Sequence, residues 1–187
     1  TIDRAAVETN FCDVPDTTAT YSGGNRGTPG AANSTCPTTV QPGTCVDSSG
    51  SSRAIVKPPA GDLLITEVMG DPSAVADETG EWIEVLARSA FDLNGVVLRT
   101  SGGSQNQHVI TSANCLTVQA GAYALLARSA VGNGNLPTPL YVYSGLNLPN
   151  SAHTVSATLD DGTTLDAATV AAPVSGRSWQ LDPTKLT

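Results

Sequence analysis

Aromatic side chains and long apolar runs are both scarce in this chain of 187 residues. Phe, Trp and Tyr together make up 4% of the sequence, so a core has to be built from Val, Leu, Ile and Ala. No stretch approaches the roughly 20 consecutive apolar residues of a membrane-spanning helix. The first residues also lack the basic and then apolar pattern of a signal peptide. We therefore expect no membrane insertion, and an export signal that has been removed or lies upstream in a longer precursor.

Basic residues are the second shortage. Seventeen Asp and Glu against nine Lys and Arg give a formal charge of −8. A surface of that sign repels the phosphates of nucleic acids and of anionic membranes, so we expect neither as a partner. The abundant Thr, Ser, Ala, Gly and Pro favour strands and turns over helices.

Cysteine is present in an even number but in none of the patterns that hold zinc. The four cysteines form no C-x-x-C pair, and two histidines are too few for mixed sites. In a chain rich in Thr and Ser, an even count is typical of disulfides formed outside the cytoplasm. Cys36 and Cys45 flank a short Pro/Gly loop, which favours a local bridge and leaves Cys12 to pair with Cys115. Four buried free thiols are the alternative.

Short alternating apolar segments follow one another from residue 61 onward, with turn residues between them. The stretch 63–69 is apolar on both faces, which predicts a central strand, and 81–86 alternates cleanly. The stretches 153–159 and 164–170 are separated by Asp-Asp-Gly-Thr, which predicts a hairpin. About nine strands without helical period predict an all-β fold, an antiparallel β-sandwich whose half-apolar sheets cover each other. The other predicted strands are 96–99, 108–110, 116–118, 123–127, 140–143 and 179–181.

Residues 1–60 differ from this body. Residues 1–35 show little hydrophobic periodicity. Residues 36–60 have the composition of a loop followed by a Ser/Pro linker, because 47–52 is rich in Ser and Gly and 57–59 is Lys-Pro-Pro. We expect three parts: an extended N-terminal segment 1–35, a disulfide loop and linker 36–60, and a sandwich 61–187.

Several blocks of the body occur together in a recognisable order: 61–69 (Gly-Asp-Leu-Leu-Ile-Thr-Glu-Val-Met), 80–85 (Gly-Glu-Trp-Ile-Glu-Val), 92–95 (Asp-Leu-Asn-Gly), Leu98, Leu116, Gly121, Tyr123 and 125–127 (Leu-Leu-Ala). In this order they resemble the lamin tail domain of secreted bacterial proteins. One departure is Val96, since an aromatic residue commonly follows the Asp-Leu-x-Gly turn in that family. The resemblance implies an immunoglobulin-like sandwich and a non-enzymatic role in structure or attachment, and it does not imply a ligand.

The two ends of the sequence resemble parts of one module in reversed order. In family order, residues 1–33, with Asn-Phe-Cys at 10–12 and Gly-Thr-Pro-Gly-Ala-Ala-Asn at 27–33, belong after residue 187. The resemblance therefore implies a unit of a head-to-tail array, in which residues 1–35 of one copy complete the sandwich of its neighbour. Three links fit this expectation: a Cys12–Cys115 disulfide between copies, strand addition to an open sheet edge, and tandem repetition within one longer polypeptide.

Candidate chemistry is sparse. Asp71, Asp77, Glu78 and Glu81 lie in one loop and the start of the next strand, and several carboxylates together suit calcium. Their spacing is not that of the Asp-x-Asp-x-Asp-Gly loop, so an acidic surface loop is the favoured interpretation and calcium the alternative. The sequence lacks G-x-S-x-G, H-E-x-x-H and a phosphate-binding glycine loop, so we expect neither an enzyme nor a cofactor.

Three further polar residues stand in predicted strands. Glu67 interrupts an apolar strand, and we favour a structural hydrogen bond over a buried catalytic carboxylate with a raised pKa. His108 and His153 have no neighbouring cysteine or carboxylate pattern, which favours packing or surface roles.

The leading functional hypothesis is a secreted structural subunit, extracellular or at the cell surface, whose partners are other copies of itself. The rival is a monomeric adhesion or accessory module that binds a protein or glycan at the cell surface. Tyr141 and Tyr143 would be its aromatic platform, although tyrosine in a strand is more often packed.

Overall fold

The structure is a computed structural model in which residues 20–21, 24–32, 43–102 and 106–185 are described. The chain divides into two compact units, Thr1–Pro42 and Gly43–Thr187. In the first unit the described strands are β1 (Thr20–Tyr21) and β2 (Asn25–Arg26), which pair as an antiparallel hairpin. Most of the predicted N-terminal segment, including Cys12, lies outside the described residues. Within the described ranges, no helix is long and apolar enough to cross a membrane.

The second unit consists of short strands joined by turns, with one α-helical turn. In chain order its elements are β3 (Thr44–Val46), β4 (Ser52–Ala54), β5 (Leu63–Met69), α1 (Asp77–Gly80), β6 (Trp82–Ala87), β7 (Phe91–Asp92), β8 (Val97–Thr100), β9 (Gln107–Val109), β10 (Thr117–Val118), β11 (Tyr123–Ala127), β12 (Tyr141–Val142), β13 (His153–Thr158), β14 (Thr164–Val170), β15 (Trp179–Gln180) and a 3-10 turn (Pro183–Lys185).

Two sheets form the sandwich. One has the strand order β12-β11-β6-β5-β15 and the other the order β14-β13-β8-β9. Pairing is antiparallel except between β11 and β12. Strands β7 and β10, and β3 and β4, form two further antiparallel pairs. The predicted all-β sandwich is confirmed, and β5 is central as expected.

Alternation along the strands builds the core. In β6, Ile83 and Val85 are fully buried while the residues between them are half-buried. In β13, Val155 and Ala157 face the same interior. The hairpin turn predicted at 160–163 is present, because the Leu159 amide donates to the Thr163 carbonyl at 2.8 Å. The two inner faces thus bury the aliphatic residues that the sequence supplies in place of aromatics.

The disulfide of the second unit differs from the predicted pairing. Cys45 is bonded to Cys115, 70 positions away. The predicted Cys36–Cys45 bridge is therefore wrong, and so is a Cys12–Cys115 bridge, within one chain or between copies. The reason is tertiary: strand β3 lies beside residues 113–115, where the Val46 amide donates to the Ala113 carbonyl and the Cys115 amide to the Val46 carbonyl, both at 2.8 Å. Cys36 lies outside the described residues.

Residues 43–60 belong to the second unit, which begins well before the predicted boundary at residue 60. The Ser-rich stretch after β3 is a folded turn, because the Asp47 carboxylate accepts hydrogen bonds from the amides of Ser49 and Ser51 at 2.9 and 3.0 Å. Asp and Ser favour such side-chain-to-backbone turns, so the same composition suits a turn as well as a linker.

The Asp-Leu-Asn-Gly motif at 92–95 holds the hairpin of β3 and β4 to the sandwich. Asp92 is fully buried and accepts two hydrogen bonds from the Arg53 guanidinium, at 2.6 and 2.8 Å, and a third from the Thr117 hydroxyl at 2.6 Å. Burial raises the pKa of Asp92, but the hydrogen bonds from Arg53 and Thr117 outweigh burial, so the pKa lies below its ordinary value. Asn94 donates to the carbonyls of Ser112 and Asn114, both at 2.9 Å, which fixes the neighbouring loop.

Candidate functional site

One lateral side of the sandwich is closed by side chains. His108 of β9 and Tyr141 of β12 lie on the edge strands of the two sheets. The Nε2 atom of His108 lies 2.9 Å from the Tyr141 hydroxyl, and its Nδ1 atom lies 2.6 Å from the Ser144 carbonyl. Since a carbonyl only accepts, Nδ1 carries the proton and Nε2 accepts from Tyr141. An antiparallel bridge between Asn106 and Leu146 covers the edge next to β9.

Among the described residues, the opposite lateral side of the sandwich is closed at one end only. Near the start of β14, the Gly61 amide donates to the Leu165 carbonyl at 3.1 Å, and the Ile65 amide donates to the Asp166 carboxylate at 2.7 Å. Beyond this point the edge of β5 is occupied by β15, in which Trp179 lies opposite Val68. Strand β14 is the edge of its sheet, and its second half therefore lies across a gap from β15.

This gap is a cleft of about 420 Å³, which we call the open-side trough. Its walls include Ala167, Ala168 and Thr169 of β14 on one side, and Trp179 and Leu181 on the other. An adjoining cavity of about 210 Å³ is lined mainly by apolar side chains, among them Val68, Val170, Val174 and Trp179.

Large apolar side chains beside the trough are unusually exposed. Val174 is 58% exposed, Trp179 44% and Leu181 38%. Single exposed apolar residues are ordinary on protein surfaces, but neighbours beside a cleft mark a contact surface.

The charge of the trough is mainly acidic. Glu67, Asp166 and Asp182 line it, against one cation, Lys185. Glu67 accepts a hydrogen bond from the Ser178 hydroxyl, which is the structural role predicted for it. Hydrogen bonds from the Thr184 amide and hydroxyl hold the pKa of Asp182 below its ordinary value, so this carboxylate stays charged.

The described structure does not bring the four residues considered for calcium together into one cluster. In the described part of the chain, the group of three metal-ligating side chains within 4.8 Å is Cys45, Asp92 and Cys115, whose two sulfurs form the disulfide. Asp77 accepts a hydrogen bond from Asn150 at 3.0 Å, and Asp71 accepts one from Ser175 at 3.2 Å. Glu78 is exposed. No three of the four carboxylates lie within 4.8 Å of one another, and the calcium alternative stays a prediction.

Glu81, the fourth member, belongs to a buried ion pair. Its carboxylate lies 3.0 Å from the Arg128 guanidinium and accepts a hydrogen bond from the Leu148 amide at 3.1 Å. Burial raises the pKa of Glu81 to about 7, against the lowering effects of Leu148 and Arg128. Burial also raises the pKa of Tyr143, and the nearby Glu81 charge adds to that rise. Within the described residues the Tyr143 hydroxyl has no hydrogen-bond partner.

The predicted aromatic platform is absent. Tyr143 is 1% exposed, and Tyr141 is half-buried with its hydroxyl held by His108. Both tyrosines therefore pack the closed side and offer no surface for a glycan. His153 is buried, which agrees with the packing role, one of the two roles predicted for the histidines. Its Nδ1 atom lies 2.7 Å from the Ser151 carbonyl oxygen.

The wall residues of β14 were absent from the sequence-based candidates. One sequence feature could have identified this strand as a contact surface. Residues 164–170 read Thr-Leu-Asp-Ala-Ala-Thr-Val and contain neither Lys nor Pro, although they form an edge strand. Natural edge strands commonly carry such residues to prevent pairing with other chains.

No protein-family model matches the chain, and no curated protein matches it. The function is therefore inferred from the geometry of the sandwich and its trough.

Proposed function

We propose that this chain is a secreted structural subunit that assembles head to tail into an extracellular fibre or surface array. The observation that carries the proposal is the asymmetry of the sandwich. One lateral side is closed by His108 and Tyr141, while the other presents the seven-residue edge strand β14 beside a trough. An uncovered edge strand presents backbone donors and acceptors that another extended chain can pair with.

The first unit supports the same proposal. Its described strands, β1 and β2, have two residues each. A two-stranded hairpin gains stability when it pairs with or packs against a further sheet. The resemblance to the lamin tail domain adds that residues 1–33 correspond to the part that completes such a sandwich. A contact between this unit and the sandwich of the next copy does not close on itself, which gives filaments instead of rings.

The contact between copies is non-covalent in this proposal, because Cys115 already belongs to the disulfide with Cys45. That disulfide is compatible with an extracellular location, since such bonds persist in oxidising compartments. Tandem repetition within a longer polypeptide is the alternative link.

Sedimentation velocity over a concentration series, with negative-stain electron microscopy, tests the proposal. We expect species at multiples of 19.0 kDa that grow with concentration and form filaments. Copies that each carry a charge of −8 repel one another. Raising the salt from about 0.01 M to about 0.15 M shortens the Debye length from about 30 Å to about 8 Å and should therefore promote assembly.

Denaturing gels of material from the native source, run with and without reductant, separate the two links. Non-covalent assembly of separate chains gives a single band at the same position in both lanes. A ladder that survives boiling and reduction indicates tandem repeats. A purified chain that stays a monomer at every concentration and salt refutes self-assembly.

A further inference from the structure

We infer that the open-side trough is the acceptor site for residues 4–11 of a second copy, which bind as an extended strand beside β14. This inference rests on the proposed head-to-tail assembly and names the surface and the segment that the assembly uses.

The trough combines the two features by which proteins bind an extended strand. One is a sheet edge, supplied by the second half of β14, which among the described residues pairs with β13 alone and whose outer backbone groups can give affinity. The other is a pocket for an alternate side chain, supplied by the adjoining cavity of about 210 Å³ between Val170, Val174 and Trp179. The small side chains of Ala167 and Ala168 leave room for a second backbone to approach. A compact globular ligand uses neither feature, so the geometry favours a strand.

Residues 4–11 have the pattern that such a strand requires. They read Arg-Ala-Ala-Val-Glu-Thr-Asn-Phe, so that Ala5, Val7 and Phe11 fall on one face of a strand. The segment contains no Pro or Gly. Eight residues at about 3.3 Å each span about 26 Å, which covers the about 23 Å of a seven-residue strand such as β14. Residues 4–11 belong to the first unit, Thr1–Pro42, and not to the unit that contains the sandwich.

The acidic side chains of the trough favour residues 4–11 as its occupant because this segment carries Arg4. The trough carries Glu67, Asp166 and Asp182 against Lys185, and therefore attracts a cation. The segment carries one basic residue, Arg4, and one acidic residue, Glu8, so Arg4 at its end is the group that can meet these carboxylates. Guanidinium groups bind carboxylates with paired hydrogen bonds, so Arg4 can fix the register of the strand.

A matched pair of variants tests the acceptor. Thr169→Lys places a cationic side chain on the wall of the trough, and Thr164→Lys makes the same change on the same strand outside it. Both threonines are exposed, so neither change disturbs the core. We expect Thr169→Lys to weaken self-association at least about tenfold, because a lysine on an edge blocks strand addition, and Thr164→Lys to leave it near the wild-type value. Circular dichroism and thermal melting confirm that both variants are folded.

A second pair tests the donor segment. Val7→Asp puts a charge on the apolar face, whereas Ala6→Asp puts it on the opposite face. We expect Val7→Asp to weaken assembly more than Ala6→Asp does.

Photo-crosslinking identifies the contact directly. Lys185, which lines the trough, is replaced by a diazirine-bearing lysine analogue, and chains labelled with ¹⁴N and ¹⁵N are mixed in equal amounts. We expect crosslinks from position 185 to residues 4–11 that join a light peptide to a heavy one.

The outcomes separate this inference from the proposed function. If the wild-type chain forms filaments but Thr169→Lys assembles normally, or if the crosslinks fall outside residues 4–11, the trough assignment is overturned and head-to-tail assembly stands. Crosslinks that join only peptides of the same label would show that the chain fills its own trough, which also overturns it. If the wild-type chain does not associate at all, the proposed function fails and this inference fails with it.

Discussion

Removing the Cys45–Cys115 disulfide should lower the stability of the second unit by a large and calculable amount. The bond closes a loop of 70 residues. In the chain-entropy model a loop of that length restricts the unfolded chain enough to stabilise the folded state by about 4 kcal/mol. The double variant Cys45→Ala/Cys115→Ala removes the bond without leaving an unpaired thiol at either position.

Urea unfolding followed by tryptophan fluorescence measures the effect. Both tryptophans of the chain, Trp82 and Trp179, lie in the second unit, so the signal reports on the sandwich. We expect the free energy of unfolding to fall by about 4 kcal/mol. A loss below about 1 kcal/mol would refute the argument that the bond acts by restricting the unfolded chain.

Hydrogen exchange distinguishes this mechanism from a local loosening of the folded state. The amides of Val46 and Cys115 donate across the contact between β3 and residues 113–115, each at 2.8 Å. If the bond acts on the unfolded chain, the same backbone hydrogen bonds persist when alanine replaces both cysteines. Exchange at these amides should then accelerate only as far as the lower global stability requires. Selective loss of their protection would show that the disulfide holds the hairpin in place.

Two ion pairs with buried carboxylates, Glu81–Arg128 and Asp92–Arg53, give further predictions. Their contributions to the free energy of unfolding depend on pH in opposite directions. Burial raises the pKa of Glu81 to about 7 in the folded chain, so folding favours the protonated form of this carboxyl group. The contribution of Glu81 to the free energy of unfolding therefore declines as the pH rises from 4.5 to 7. The decline is about 3 kcal/mol at 1.36 kcal/mol per pKa unit. Urea unfolding at several pH values should show a flatter profile for Glu81→Gln over this window, and an unchanged profile would contradict the assignment. The pKa of Asp92 is lowered, so its contribution persists above its ordinary value of 3.8 and is lost only as the pH falls below that value. Arg53→Ala leaves the buried Asp92 carboxylate without its ion-pair partner and should lower the free energy of unfolding in the same assay, whereas an unchanged value would show that the pair is dispensable.

Local sequence patterns predicted most of the strands correctly. The hairpin between β13 and β14 was identified because an Asp-Gly turn between alternating stretches acts through neighbouring residues alone. Likewise Ile83 and Val85 fall on the buried face because side chains alternate along any strand. The Ser-rich turn after β3 was missed, since the same residues form linkers and side-chain-capped turns.

The contacts that define the candidate site join residues that are far apart in the sequence, so local patterns do not predict them. Cys45 and Cys115 are 70 positions apart, and proximity along the chain favoured a different partner for Cys45. For Tyr143 the sequence favoured packing over an exposed platform without excluding the platform, and the packing of the closed side buries the ring. The partner of Asp92 is Arg53, from a hairpin that composition alone marked as a linker.

By itself the sequence determined that this protein is a β-sandwich with an aliphatic core, because alternation and turn chemistry are local properties of the chain. Only the tertiary structure decided which edges are covered. That outcome depends on the order of strands within each sheet, and strand order is set by pairings between residues far apart in the sequence. The free edge of β14, and the trough on which the functional proposal rests, follow from that order.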